Sequence, residues 1–311
     1  MYFPYFRGKQ YELIAVRENA AKLQAAGFTP IIEPVKESLG GLEKALNAIC
    51  DVDGTAVVIV NPYHGDHADK GDAISALLKE KFLPKREIAA GILLKDNVTV
   101  EEALQCCQIH ADHNLTLIHA GFTGARALAE GLGAKLTDTR HVFFEKDCGK
   151  LYRKHFQGSK RIIIGDGFEK RTNSKYPLVE PYSDLHVTYT EEGMDGFGDF
   201  LTVGDDYSEG GGPAYAIAIH LTFIDPGNDD AMFIYHFKSL RMDTPTDPAG
   251  KFAEALNAMI EKLNEPQSMV LETEAVKEFR SLHEKRHFPG LGYVKKLSMQ
   301  HHIETLAAYF P

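Results

Sequence analysis

Short runs of β-branched and aliphatic residues alternate along this chain with longer stretches whose apolar positions recur at helical spacing. Eight such runs stand out: Tyr2 to Phe6, Phe28 to Ile32, Thr55 to Val60, Ile88 to Leu94, Leu115 to Ile118, His141 to Phe144, Arg161 to Ile164, and Ala214 to Phe223. Runs such as Ala56-Val57-Val58-Ile59-Val60 are apolar without interruption, the pattern of strands buried on both faces of a parallel sheet. Helical stretches are predicted between them at about 10–26, 38–50, 68–82, 98–110, 123–133 and 148–157. After Gly71, for example, Ile74, Leu77, Leu78 and Phe82 fall on one face. Strands and helices in this order, eight times over, predict a (β/α)8 barrel rather than an open doubly wound sheet.

The pattern changes after the seventh run. Gly165 to Gly212 is rich in Gly, Asp and Tyr, which predicts a long acidic insertion, 167–212, before the last strand. The turn cluster Asp225-Pro226-Gly227-Asn228-Asp229-Asp230 followed by Met232 to Phe237 predicts a terminal β-hairpin. Asp247-Pro248 opens a capped helix running to Leu263. Residues 1–265 therefore read as the barrel domain, and 266–311 as a C-terminal helical appendage packed on it.

The chain has 311 residues, 44% hydrophobic and 25% charged, the balance of an ordinary globular protein. Its longest continuous apolar run, Ile88 to Leu94, is far short of the ~18 residues of a membrane span, and the opening residues lack a signal-peptide core. A cytoplasmic protein with no membrane partner is expected. Cys50, Cys106, Cys107 and Cys148 match no zinc spacing and are expected to be free thiols. A net charge of −10 argues against general nucleic-acid coating. That average hides an asymmetry: 184–230 holds eleven Asp or Glu and no Lys or Arg, while 146–175 holds nine Lys or Arg against three acids. The acidic stretch should be mobile unless those upstream cations or a metal pin it.

Every predicted strand ends on a polar side chain, and in a barrel all C-terminal strand ends face one mouth, where such folds keep their chemistry. Reading round the ring gives Arg7 with Lys9, Glu33, Asn61, Lys95, His119, Glu145, Asp166 and His220. Glu33, fixed by Pro34, suits a base or a metal ligand. Glu145 and Asp166 are hard oxygen donors on neighbouring strands that would share Mg²⁺ or Mn²⁺. Lys95 would be a Schiff-base amine or an anion-positioning charge. His119 and His220 would transfer protons. In the loops, Arg171 and Asn173 would join Arg7, Lys9 and Asn61 in binding an anion, and Ser208-Glu209-Gly210-Gly211-Gly212-Pro213 has the look of a phosphate-cradling turn.

The opening Tyr2-Phe3-Pro4-Tyr5-Phe6-Arg7-Gly8-Lys9-Gln10 and Pro30-Ile31-Ile32-Glu33-Pro34-Val35 resemble the bacterial "beta protein" family of mobile and defence-associated gene clusters. Asp166-Gly167-Phe168, Gly196-Phe197-Gly198-Asp199, Gly212-Pro213-Ala214-Tyr215, His236-Phe237-Lys238-Ser239 and Asp247-Pro248-Ala249-Gly250-Lys251 extend the resemblance over much of the first 265 residues. Phe200 departs from it. What the resemblance implies is membership and a barrel, with no reaction attached. The leading expectation is metal-assisted hydrolysis of a phosphate-bearing small molecule or nucleotide. The alternatives are a non-catalytic binding subunit of a phage-defence system, with a protein partner encoded nearby, and a lyase or aldolase using Lys95.

Overall fold

The computed structural model describes residues 1–68, 70–85, 87–210 and 212–310. They form two compact units, one made of 1–165 and 188–199, the other of 166–187 and 200–310.

The first unit is the barrel. Its parallel strands are β1 (Tyr5–Phe6), β2 (Ile31–Ile32), β3 (Ala56–Ile59), β4 (Ile88–Leu94), β5 (Leu115–His119), β6 (Arg140–Phe144) and β7 (Lys160–Ile164), joined edge to edge in chain order. Between them run α1 (Gln10–Glu18), α2 (Ala20–Ala25), α3 (Gly40–Cys50), α4 (Asp72–Leu77), α5 (Val100–Ile109), α6 (Ala125–Leu132) and α7 (Lys150–Arg153). Two-faced burial explains the unbroken apolar runs: every residue of β3 and β4 is buried. Thr99 and Glu102 cap α5 reciprocally, which sets where that helix begins.

The eighth barrel strand is not Ala214–Phe223. Two further strands come first in the chain, β8 (Val179–Ser183) and β9 (Gly196–Gly198), and it is β9 that extends the barrel sheet beyond β7. A parallel bridge between Phe197 and Tyr2 then brings the sheet round to its start. Phe3 N–H donates to Phe197 O at 2.8 Å, and Tyr5 N–H donates to Asp199 O at 2.9 Å. A long connection does precede the last barrel strand, but it runs from 165 to 195 and contains β8.

The second unit holds a three-stranded antiparallel sheet in which β11 (Ala231–Lys238) lies between β10 (Ala218–Asp225) and β8. The expected hairpin is β10 with β11. After the short α8 (Leu185–Thr188) come α9 (Pro248–Leu263), α10 (Glu274–Glu284) and α11 (Leu291–Tyr309). Asp247 caps α9 by accepting the Gly250 N–H at 2.9 Å, as its Asp-Pro start predicts. Ile219, Leu221 and Phe237 of the hairpin share one core with Phe252 and Met259 of α9, Phe279 of α10 and Leu297 of α11. The boundary expected near 265 is therefore absent: the tail helices cover the apolar face of the hairpin and belong to its core.

The acidic stretch is held by the upstream cations in places. Within the barrel unit Glu192 pairs with Arg153 at 2.8 Å and Lys150 at 3.1 Å, and the Arg161 N–H donates to Asp195 at 2.7 Å. All four cysteines are free. Among the described residues, no helix is long and apolar enough to cross a membrane.

Candidate functional site

The ends of β1 and β2 and the loop after β3 build one polar cluster around Glu33, which is fully buried. Its Oε1 accepts the backbone N–H groups of Tyr63 at 2.9 Å and His64 at 3.0 Å, and His64 Nδ1 lies 3.1 Å away. Its Oε2 accepts the Tyr5 hydroxyl at 2.9 Å and a short bond from Arg7. Burial alone would raise this carboxyl, but the His64 hydrogen bond, the charges of Arg7 and His64 and the Tyr5 hydroxyl outweigh it and hold it down to about 2. Glu33 is an anion at neutral pH whose oxygens are filled by protein donors.

That charge fixes its neighbour. Two groups meet Nδ1: Glu33 Oε1 at 3.1 Å calls for a proton there, and Arg7 Nη1 at 3.3 Å calls for a lone pair. The nearer contact, to an ionised carboxylate, favours the Nδ1–H tautomer of neutral His64, with the lone pair on Nε2. About a quarter of the His64 side chain is exposed. The loop carrying it is seated tightly: Gly65 has φ +76°, and a Cβ there would lie 2.1 Å from Val35 O. Lys95, at the end of β4, sits 4.8 Å from the centroid of the Tyr63 ring, at the edge of the same cluster. Arg7, expected to bind an anion, is buried and serves Glu33. Lys9 is half-buried at the start of α1.

Other ring members are placed differently. Asn61 is bound on both sides to Leu93, donating to its carbonyl at 2.9 Å and accepting its N–H at 2.8 Å, so it ties β3 to β4. His119 is not a mouth residue. Its side chain packs among His141, Phe143, Phe156 and Tyr152 beneath the α7 segment, accepting or donating at 2.7 Å with the Tyr152 hydroxyl and 3.0 Å with His141. Burial and the neighbouring His141 push it well below the usual histidine range, leaving it a neutral core residue.

Glu145 is exposed at the end of β6 in the barrel unit. Asp166 belongs to the second unit, where its oxygens accept the N–H groups of Phe168 at 3.1 Å and Asp205 at 2.8 Å. Among the described residues no three His, Cys, Asp or Glu side chains are grouped to hold a metal ion. The two carboxylates expected to share Mg²⁺ or Mn²⁺ thus fall in different units, Glu145 in the barrel unit and Asp166 in the second.

The second unit gathers the remaining candidates. His220 faces His236 across the hairpin, Nδ1 to Nδ1 at 2.7 Å; His236 Nε2 meets Glu180 at 2.9 Å, and Glu180 also accepts from Arg171. Glu180 accepts a hydrogen bond from His236 Nε2–H, so His236 Nδ1 must accept from Nδ1–H of His220, which leaves the lone pair of the chain on His220 Nε2. Burial pushes His236 down to about 4 in spite of Glu180, and burial with the neighbouring His236 pushes His220 well below the usual histidine range. Phe168 and Tyr176 pack against both rings. A cleft of about 460 Å³ opens beside them, lined by Asp166, Phe168, Glu169, Lys170, Glu180 and Asp206. Asn173 donates to Ala216 O at 2.8 Å and so anchors a loop. In the glycine-rich turn, Gly211 lies outside the described residues, and the others have irregular backbone.

Sequence reasoning missed Tyr5, Tyr63 and His64 in the first cluster and Glu180, Tyr176 and His236 in the second. His236 was within reach, because a hairpin centred on Gly227-Asn228 puts it opposite His220. His64 was not: it stands five residues past the end of β3, where period-2 logic has ended.

The chain is thus a (β/α)8 barrel joined to a sheet-and-helix unit, with a buried carboxylate and a histidine at the barrel mouth. No family model, no curated protein and no solved structure matches it.

Proposed function

We propose that this chain is a barrel enzyme that moves protons on a small anionic substrate at its mouth, with His64 as the proton carrier. The Glu33–His64 pair carries the reading. A carboxylate held ionised and buried orients the imidazole, fixes its tautomer and stabilises the imidazolium formed when Nε2 takes a proton. Arg7 offsets the charge of Glu33, and Lys9 and Lys95 supply positive charge at the rim for the substrate. Strand-end placement is where barrel enzymes keep such groups. Kinship with the beta protein family, which rests on the sequence motifs, and a cytoplasmic location belong to the same proposal.

The test is a turnover screen of phosphomonoesters, phosphodiesters and nucleotides, each with and without Mg²⁺ or Mn²⁺. At least one should be turned over, and His64→Gln should lower kcat about 100-fold while the variant stays folded at the assay temperature. Turnover by His64→Gln at the wild-type rate contradicts the reading. A silent panel favours the non-catalytic binding subunit.

A further inference from the structure

A pocket of about 290 Å³ lies in the barrel unit between α1 and α3, reaching the loops that lead into them from β1 and β2. Gly8, Arg17, Lys36, Ser38, Gly41 and Lys44 line it, together with Leu13 and Ile14 at its floor and Gln10. Three of its nine lining residues are cations and none is an acid, in a chain whose net charge is −10. Among the described residues neither Lys36 nor Lys44 is in an ion pair, and Arg17 meets only its neighbour Glu18, at 3.6 Å with both side chains more than 40% exposed. Such a contact neutralises little.

The remaining lining suits the same charge. Ser38 offers a hydroxyl. Gly41 brings the backbone of the first turn of α3 to the pocket wall, and no side chain caps that helix, so its positive end adds to the three cations. The pocket is near the lower size limit of small-molecule sites, of order 300 Å³. It fits one compact anion with a short stem, not a dinucleotide. It also adjoins the proposed catalytic loops in sequence and in contact: Gly8 follows Arg7 directly, and Asp66, two residues past His64, accepts the Glu37 N–H at 2.8 Å.

The geometry points to a phosphate-binding handle here, in which Arg17, Lys36 and Lys44 hold the phosphate group of a phosphate-bearing small molecule. This deepens the reading of the mouth as a site for anionic substrates and rests on it. A phosphate dianion uses three donors better than a carboxylate does, because it presents three charged oxygens.

Calorimetric titration of the intact chain with inorganic phosphate at low ionic strength tests the handle. Wild type should bind one phosphate saturably, with acetate weaker. Lys36→Gln/Lys44→Gln should weaken phosphate binding about tenfold or more, while Lys277→Gln/Lys285→Gln on α10 should change it less than about twofold. His64→Gln should bind phosphate as wild type does. Unsaturable binding by wild type, equal binding by the Lys36/Lys44 variant, or acetate binding as well as phosphate overturns the handle. The two readings fail separately. Loss of phosphate binding in the lysine variant with no turnover by wild type leaves the handle and removes the catalytic reading. Turnover lost in His64→Gln with phosphate binding indifferent to Lys36 and Lys44 does the reverse.

Discussion

Glu33→Ala is expected to destabilise the protein by about 3–5 kcal/mol, because it leaves the buried Arg7 guanidinium without its counter-charge. It also strips the Tyr5 hydroxyl and the Tyr63 and His64 N–H groups of their acceptor. The pH dependence gives an independent measure. The Glu33 carboxyl is held at about 2 against its ordinary 4.5, so its contribution is fully present above 4.5 and is lost as pH falls toward 2. That difference corresponds to about 3 kcal/mol at neutral pH, the same order as the expected cost of truncation. Urea unfolding followed by circular dichroism between pH 7 and pH 2 checks both. Wild type should lose stability steeply below pH 4.5, and Glu33→Ala should start lower and fall less. Equal midpoints at pH 7 would mean that the cluster holds nothing together.

The second large effect concerns closure of the barrel. A Cβ on Gly198 would lie 2.1 Å from the Phe3 carbonyl oxygen, and on Gly196 2.7 Å from Met1 O. These are backbone atoms on the opposing strand, which cannot rotate away. Gly198→Ala should therefore push β9 off the first strand and cost about 3 kcal/mol or more. Gly149→Ala, where nothing lies within 4 Å, should cost less than about 1 kcal/mol. Unfolding midpoints of the two variants compare them directly. A Gly198→Ala protein as stable as wild type would contradict closure through β9.

The same glycines explain what the sequence could and could not reveal. Seven barrel strands were legible because burial on both faces leaves continuous aliphatic runs, as in Ile88–Leu94, which matches β4 residue for residue. The eighth was not. Gly196-Phe197-Gly198 is three residues long and has lost its side chains to the close approach of the first strand, so no apolar run survives to be read. β8 was hidden by Pro181, which argues against a central strand; β8 is an edge strand of its sheet, where the missing N–H costs nothing. With both overlooked, Ala214–Phe223 took the place of the last barrel strand.

The site was legible to the same degree and for related reasons. Glu33 could be found because a carboxylate directly after Ile31-Ile32 must stand at a strand end. Polarity at a strand end does not say which face the side chain takes, and His119 turns to the helix layer while Glu33 turns to the mouth. His64 lies in a loop, where only contact with Glu33 gives it meaning. Nothing in the sequence sets Lys36 and Lys44 apart from other surface charges, and it took the fold to place them beside Arg17.

The central claim is that Glu33 sets the tautomer of His64, placing its proton on Nδ1 so that Nε2 is the nitrogen that takes up a proton. Long-range ¹H–¹⁵N NMR of the histidine rings, at a pH where His64 is neutral, reads this directly. The account predicts the Nδ1–H tautomer for His64 in wild type and its loss in Glu33→Ala. An Nε2–H tautomer for His64 in the wild-type protein would contradict it.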